Sequence, residues 1–184
     1  MATSIIVPGI GGSGEAHWQT RWQRRDPGMV RFAPASWDAP DLADWIEALD
    51  RAVLAAPCPP FLVAHSLACL LVPHWRAARP GRRIAGAFLV AVPDPEGPAF
   101  PAEAASFRGV PEGRLGFPAL VVASTDDLYG PPEHARRRAE GWGAGLVVAG
   151  ALGHINAASG LGDWPLGSQL FAAFRAGTGA PSAP

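Results

Sequence analysis

The sequence predicts an α/β fold, with about six mostly parallel strands and helices packed on both faces of the sheet. Two observations carry that expectation. Short apolar runs recur at residues 4–7, 30–32, 61–64, 85–92, 119–123 and 146–149, and most are separated by stretches with helical spacing. The runs are also nearly continuous in Val, Ile and Leu, which is how strands covered on both faces read. At 184 residues the chain suits a single domain, expected over 1–176, which can bury roughly 70% of the surface its unfolded form exposes. The tail "GTGAPSAP" (177–184) offers nothing to pack and is expected to be disordered.

The first strand runs into "PGIGGSG", where Gly9, Gly11 and Gly14 have G-x-G-x-x-G spacing, and residues 15–25 can continue as a helix. A dinucleotide site would also need an acid about 20 residues further on, at the end of the second strand. The first acid after that strand is Asp38, which comes late. A nucleotide-binding oxidoreductase is therefore disfavoured, and the glycines need another explanation. After the second strand, "DLADWIEALDRAVLAA" (41–56) places Leu42, Trp45, Ile46, Leu49, Val53 and Leu54 on one helical face, with Asp38 as a candidate N-cap.

The third strand leads into "FLVAHSLACLLVPHW" (61–75), with Ser66 at the junction of strand and helix between Ala64 and Ala68. This relaxes the G-x-S-x-G nucleophile elbow, whose flanking residues must be small because the strained turn brings neighbouring backbones close. Taken alone, a Ser at a helix start reads as a cap. Between the fourth and fifth strands lies a Pro- and Gly-rich segment, 93–118, longer than an ordinary connection; a partial lid and a surface excursion are both consistent with it. The fifth strand ends in "VVASTDDLYGPP", which carries Asp126 and Asp127, and the sixth is followed by "AGALGHINAASG", which carries His154.

Ligand sites in parallel sheets lie beyond the carboxyl ends of the strands. Ser66, an acid and His154 each follow a different strand, in the chain order of the α/β-hydrolase triad. The opening glycine turn then has a use. In such a site the oxyanion hole takes one backbone N–H from the residue after the nucleophile, here Leu67, and one from the loop after a neighbouring strand, here that of Ile10. Trp18 and Trp37 are candidates to shape the acyl pocket. His17, His65, His74 and His134 have weaker claims on catalysis, and His65 is expected to pack beside the elbow. No histidine pair has a metal-ligand spacing, so neither a metal nor an organic cofactor is expected.

Composition excludes some classes of function. With 15 basic and 16 acidic residues and a net charge of −1, the chain has neither the footprint of a nucleic-acid binder nor a polybasic membrane patch. Every basic residue is Arg, and the pieces at 79–83 and 135–140 read as solvated surface. Cys58 and Cys69 lack C-x-x-C spacing, and Cys69 falls in an apolar helical pattern as a buried thiol would. The N-terminus lacks a basic stretch before an apolar core, and the longest apolar run, 84–92, is too short to span a bilayer. A cytoplasmic protein is expected.

The motifs "PGIGGSGEAHWQTRW", "SWDAPDLADW", "VAHSLACLLVPHW", "ASTDDLYGP" and "GHINAASGLGDWP" together resemble the small single-domain serine hydrolases of the retinoblastoma-binding protein 9 type, or YdeN-like family. The resemblance covers nearly the whole chain. It implies a minimal three-layer α/β-hydrolase fold without a large cap domain and a triad of Ser66, Asp127 and His154. The family often has Pro where this chain has Leu128. The expected activity is that of a carboxylesterase-like serine hydrolase acting on a small-molecule ester through an acyl-enzyme. The alternative is a protein-binding or regulatory protein that keeps the scaffold with little turnover; no feature of the sequence points to a particular protein partner.

Overall fold

The computed structural model describes residues 3–179. Six parallel strands form one sheet in the order β2-β1-β3-β4-β5-β6: β1 (Ser4–Val7), β2 (Met29–Arg31), β3 (Phe61–His65), β4 (Gly86–Val90), β5 (Ala119–Ala123) and β6 (Gly145–Val148). Five helices connect or follow them: α1 (Trp18–Arg25), α2 (Leu42–Ala55), α3 (Leu67–Ala78), α4 (Pro132–Trp142) and α5 (Pro165–Gly177). This is the expected three-layer α/β architecture without a large cap.

Successive strand residues feed opposite faces, as the two-residue pleat requires. Ile5, Val7, Leu62, Ala64, Leu89 and Val121 join a core under α2, α3 and α4, whereas Ile6, Phe61, Val63, Phe88, Val90 and Val122 join one under α1 and α5. The second core is aromatic: Trp18, Trp22, Trp164 and Phe171 pack there with ring centroids 4.6–6.1 Å apart.

Several boundaries differ from expectation, each for a local reason. α1 starts at Trp18 rather than residue 15, because the Nδ1 of His17 caps it by accepting from the amide of Gln19. α2 is capped by Asp41, whose carboxylate accepts from the Asp44 amide, and not by Asp38. Pro40 lies between them and biases Ala39 away from helical backbone. Leu54 is 59% exposed and sits off the buried face of α2. β2 runs one residue earlier than expected, β4 stops before Ala91, which has φ 58°, and β6 begins at Gly145. Gly177 ends α5 and Thr178 caps it, so the expected tail begins inside ordered structure; residues 180–184 lie outside the described residues. The 93–118 segment is not a surface excursion. It forms a 3-10 turn, Ala102–Phe107, and buries Ala104, Phe107, Val110 and Leu115 in the larger core.

The chain turns from β1 to β2 on one side and then places β3 on the other side of β1. The loops after β1 and β3 therefore diverge at the sheet's switch point, where α/β sheets open a crevice. The glycine turn and Ser66 both lie there.

Candidate active site

Ser66 joins β3 to α3 with φ 56° and ψ −127°, a conformation that costs a non-glycine residue on the order of 1–3 kcal/mol. The surroundings hold it. The Ser66 amide donates to Val90 O at 3.0 Å, and Ser66 O accepts from the Cys69 amide at 2.8 Å. Gly9 completes the fit: a Cβ there would stand 2.9 Å from the Ser66 Cβ and 3.1 Å from His65 O. The first glycine of the fingerprint is thus required by the elbow. Gly12 has φ 69° and lies under Trp37, which a Cβ would meet at 2.9 Å, whereas Gly14 faces open space with an ordinary φ. Arg31 pins the turn by donating to the carbonyls of Gly12 and Ser13.

Ser66, His154 and Asp127 come together from three strand ends. Ser66 Oγ lies 2.8 Å from His154 Nε2, and His154 Nδ1 lies 2.9 Å from both carboxylate oxygens of Asp127. A carboxylate can only accept, so Nδ1 carries the proton and Nε2 is left to accept from the serine hydroxyl. Asp127 Oδ1 also accepts from the Tyr129 amide at 2.9 Å, an Asx-type turn that fixes the acid. That bond uses residue 129 and not 128, and Leu128 is 86% exposed, so the departure from Pro at this position leaves the acid's anchor intact. Gly130 is needed behind it, since a Cβ there would fall 2.1 Å from Val92 O.

The neighbouring acid faces elsewhere. Asp126 Oδ1 accepts from the Ser124 hydroxyl and the Gly153 amide, both at 2.7 Å, and these bonds hold its carboxyl below the usual range. Ser124 Oγ in turn accepts from the Leu152 amide. Asp126 thus fastens the loop that presents His154. From the opposite side His65, buried beside the elbow, lies with Nε2 2.9 Å from His154 O. The carbonyl can only accept, so this imidazole is the Nε2–H tautomer; burial, then His17 and His154, push its pKa well below the ordinary value.

Leu67 and Ile10 open α3 and the 3-10 turn Ile10–Gly12, so neither amide has an acceptor within its own helix. Both residues line a cleft of about 520 Å³ that also contains Ser66 and His154. Trp18 and Trp37 do not line it, which corrects the expectation for the pocket. Trp18 is fully buried in the aromatic core and its Nε1 donates to Ile155 O at 2.8 Å; Trp37 backs the glycine turn, its carbonyl accepting from Gly11 N. Their rings pack against other aromatics, Trp18 with Trp22 and Trp164 and Trp37 with Phe32 and Trp45, and so back the walls from behind. The walls come instead from His17, Phe100, Pro101, Glu103, Tyr129 and Asn156. Sequence reasoning missed these because they come from separate segments with no shared motif. Only the length of the 93–118 segment signalled part of them.

Cys69 is buried with its Sγ 3.3 Å from Val90 O, and burial pushes its thiol up. Among the described residues no group of three or more His, Cys, Asp or Glu is placed to hold a metal ion, and no helix is long and apolar enough to cross a membrane.

A family model described as serine hydrolase matches residues 4–173. Among solved structures, a YdeN-like hydrolase from Pectobacterium atrosepticum is 31% identical, with 97% of this chain and 92% of that one aligned at a TM-score of 0.86. The ydeN gene product of B. subtilis is 20% identical over 96% of this chain and 100% of its own, at a TM-score of 0.78. Est1E from Butyrivibrio proteoclasticus, solved with ferulic acid bound, shares the fold at 14% identity and a TM-score of 0.67, over 96% of this chain and 87% of its own. No curated protein matches the chain by sequence.

Proposed function

The chain belongs to the serine hydrolase family, in its YdeN-like branch, and from that premise we propose that it cleaves small esters through an acyl-enzyme formed on Ser66. The observation that carries this reading is the unbroken row from Ser66 Oγ through His154 to Asp127, at 2.8 and 2.9 Å. Ser66 Oγ attacks the ester carbonyl while His154 Nε2 takes its proton. The amides of Leu67 and Ile10 receive the developing oxyanion, and a single donor of this kind is worth about 2.7–4 kcal/mol to the transition state. His154 returns the proton to the departing alcohol, and Asp127 keeps the imidazole in its Nδ1–H tautomer and stabilises the cation. Water then repeats the sequence on the acyl-enzyme and frees the acid.

A fluorophosphonate probe tests this directly, because only an activated serine reacts at a useful rate. The expected result is one adduct on Ser66, lost in Ser66→Ala, together with hydrolysis of short p-nitrophenyl esters that His154→Ala nearly abolishes. Folded protein that takes no label would instead favour a scaffold that binds without turnover.

A further inference from the structure

Two rings pack against the imidazole of His154. His65, with centroids 5.1 Å apart and planes inclined by 59°, is buried, whereas Tyr129, at 4.5 Å and 46°, is 38% exposed and lines the cleft. The Tyr129 backbone is held on both sides: its amide donates to Asp127 Oδ1 at 2.9 Å, and its carbonyl accepts from the Asp94 amide at 2.7 Å. That second bond, with the close approach of Gly130 to Val92 O, sets residues 129–130 against 92–94, so Pro93 stands beside Tyr129 in the lining. The site thus presents an accessible flat ring in contact with the general base, and the proton transfers proposed above make no use of it.

We infer that Tyr129 forms the subsite for the departing alcohol, which makes the preferred substrate an ester whose alcohol part carries an aromatic ring. The inference rests on the ester-hydrolase reading of the same cleft. His154 Nε2, 2.8 Å from Ser66 Oγ, must also come within about 2.6–3.2 Å of the departing oxygen to return the proton. The carbon group on that oxygen is therefore carried beside the imidazole, where the accessible ring is that of Tyr129. The acyl group has no such tie to His154, since it is bonded to Ser66 and its oxygen is turned to the amides of Leu67 and Ile10. An aromatic ring set offset or edge-on against Tyr129 gains more than the area it buries, because the face of one ring attracts the edge of the other. A saturated ring of similar size gains the burial alone.

Matched esters isolate the effect: benzyl butyrate against cyclohexylmethyl butyrate varies the alcohol, and methyl phenylacetate against methyl cyclohexylacetate varies the acyl group. The readout is the aromatic-to-saturated ratio of kcat/KM within each pair, so a loss of rate common to both members cancels. Tyr129→Phe keeps the ring and Tyr129→Leu removes it, with Tyr129→Met in its place should circular dichroism show the leucine variant unfolded. Without the ring the alcohol-pair ratio should fall about fivefold, the scale of one aromatic pair, while the acyl-pair ratio stays within about twofold. Tyr129→Phe should keep both ratios within about twofold of the wild type. An alcohol-pair ratio that survives loss of the ring, an equal fall in Tyr129→Phe, or a fall as large in the acyl pair overturns the inference and leaves the hydrolase reading standing. So does wild-type protein that takes fluorophosphonate but cleaves neither butyrate. Wild-type protein that takes no label and cleaves none of the four esters overturns both.

Discussion

The two walls of the cleft are built on different terms. On one, Ser66, His154 and Asp127 are tied into a closed set of hydrogen bonds, with the Asp127 side chain 1% and that of His154 11% exposed. On the other, His17 holds an N–H without a partner, Tyr129 is 38% exposed and Glu103 lies open to solvent. The first wall is preorganised, which is what a reaction with developing charge needs, since donors already in place require no rearrangement as the transition state forms. The second leaves Tyr129 and Glu103 facing solvent, where an entering molecule would meet them. Perturbing the first should change rate with every substrate; perturbing the second should change which substrates are chosen.

The two adjacent acids give the sharpest test of that division, and the largest effect. Asp127→Asn preserves shape but cannot hold His154 in the Nδ1–H tautomer, so kcat should drop on the order of 10⁴-fold with all esters alike. Asp126→Asn keeps the oxygen that accepts from Ser124 and Gly153, and should lose no more than a few-fold. Steady-state kinetics on folded variants checks the ranking. Equal losses would mean that the loop clasp and the acid cannot be separated.

The same division explains what could be read in the sequence. Ser66, His154 and the acid pair Asp126–Asp127 each sit at the end of an apolar run, so strand recognition and chain order sufficed to find them, whereas the choice of Asp127 over its neighbour came from the family resemblance. The opposite wall has no such signal: His17 is a helix cap, Phe100 and Glu103 lie in an irregular segment, and Tyr129 follows the acid by two residues. These meet only when the sheet's switch point and the packed 93–118 segment bring them together. Trp18 and Trp37 were legible as large aromatics near the site, but not as groups facing away from it, because a bulky apolar ring next to a motif fits lining and backing equally well. Gly9 illustrates the reverse case. Its spacing suggested phosphate or oxyanion binding, and its steric need is the 2.9 Å approach to Ser66.

His65 lies between the walls and tests where the boundary falls. Its Nε2–H holds His154 by its carbonyl, so it is a positioning residue. His65→Leu removes the bond and should lower kcat on the order of a hundredfold, the scale of a misplacement of about 1 Å. KM should change little, and the fluorophosphonate labelling rate should fall in parallel with kcat. His65→Gln can return a donor to nearly the same place and should recover part of the rate. If KM carried the loss instead, His65 would belong with the recognition wall.

The smallest effect is on stability, and it tests the protonation state of His17 in the folded chain. His17 is held near pKa 4 in the folded chain and returns to about 6.5 on unfolding. Below 6.5 the unfolded chain therefore binds a proton that the folded chain refuses, and stability falls with pH, in full force above about 6.5 and lost progressively down to about 4. Burial likewise lowers His65, His74 and His134, so the whole protein should weaken across this range. At pH 5 the share from His17 is on the order of 2 kcal/mol. His17→Asn has no proton to bind, so its urea midpoint should drop less between pH 7.5 and pH 5.0 than that of the wild type. An equal drop would mean that the imidazole accepts a proton in the folded state.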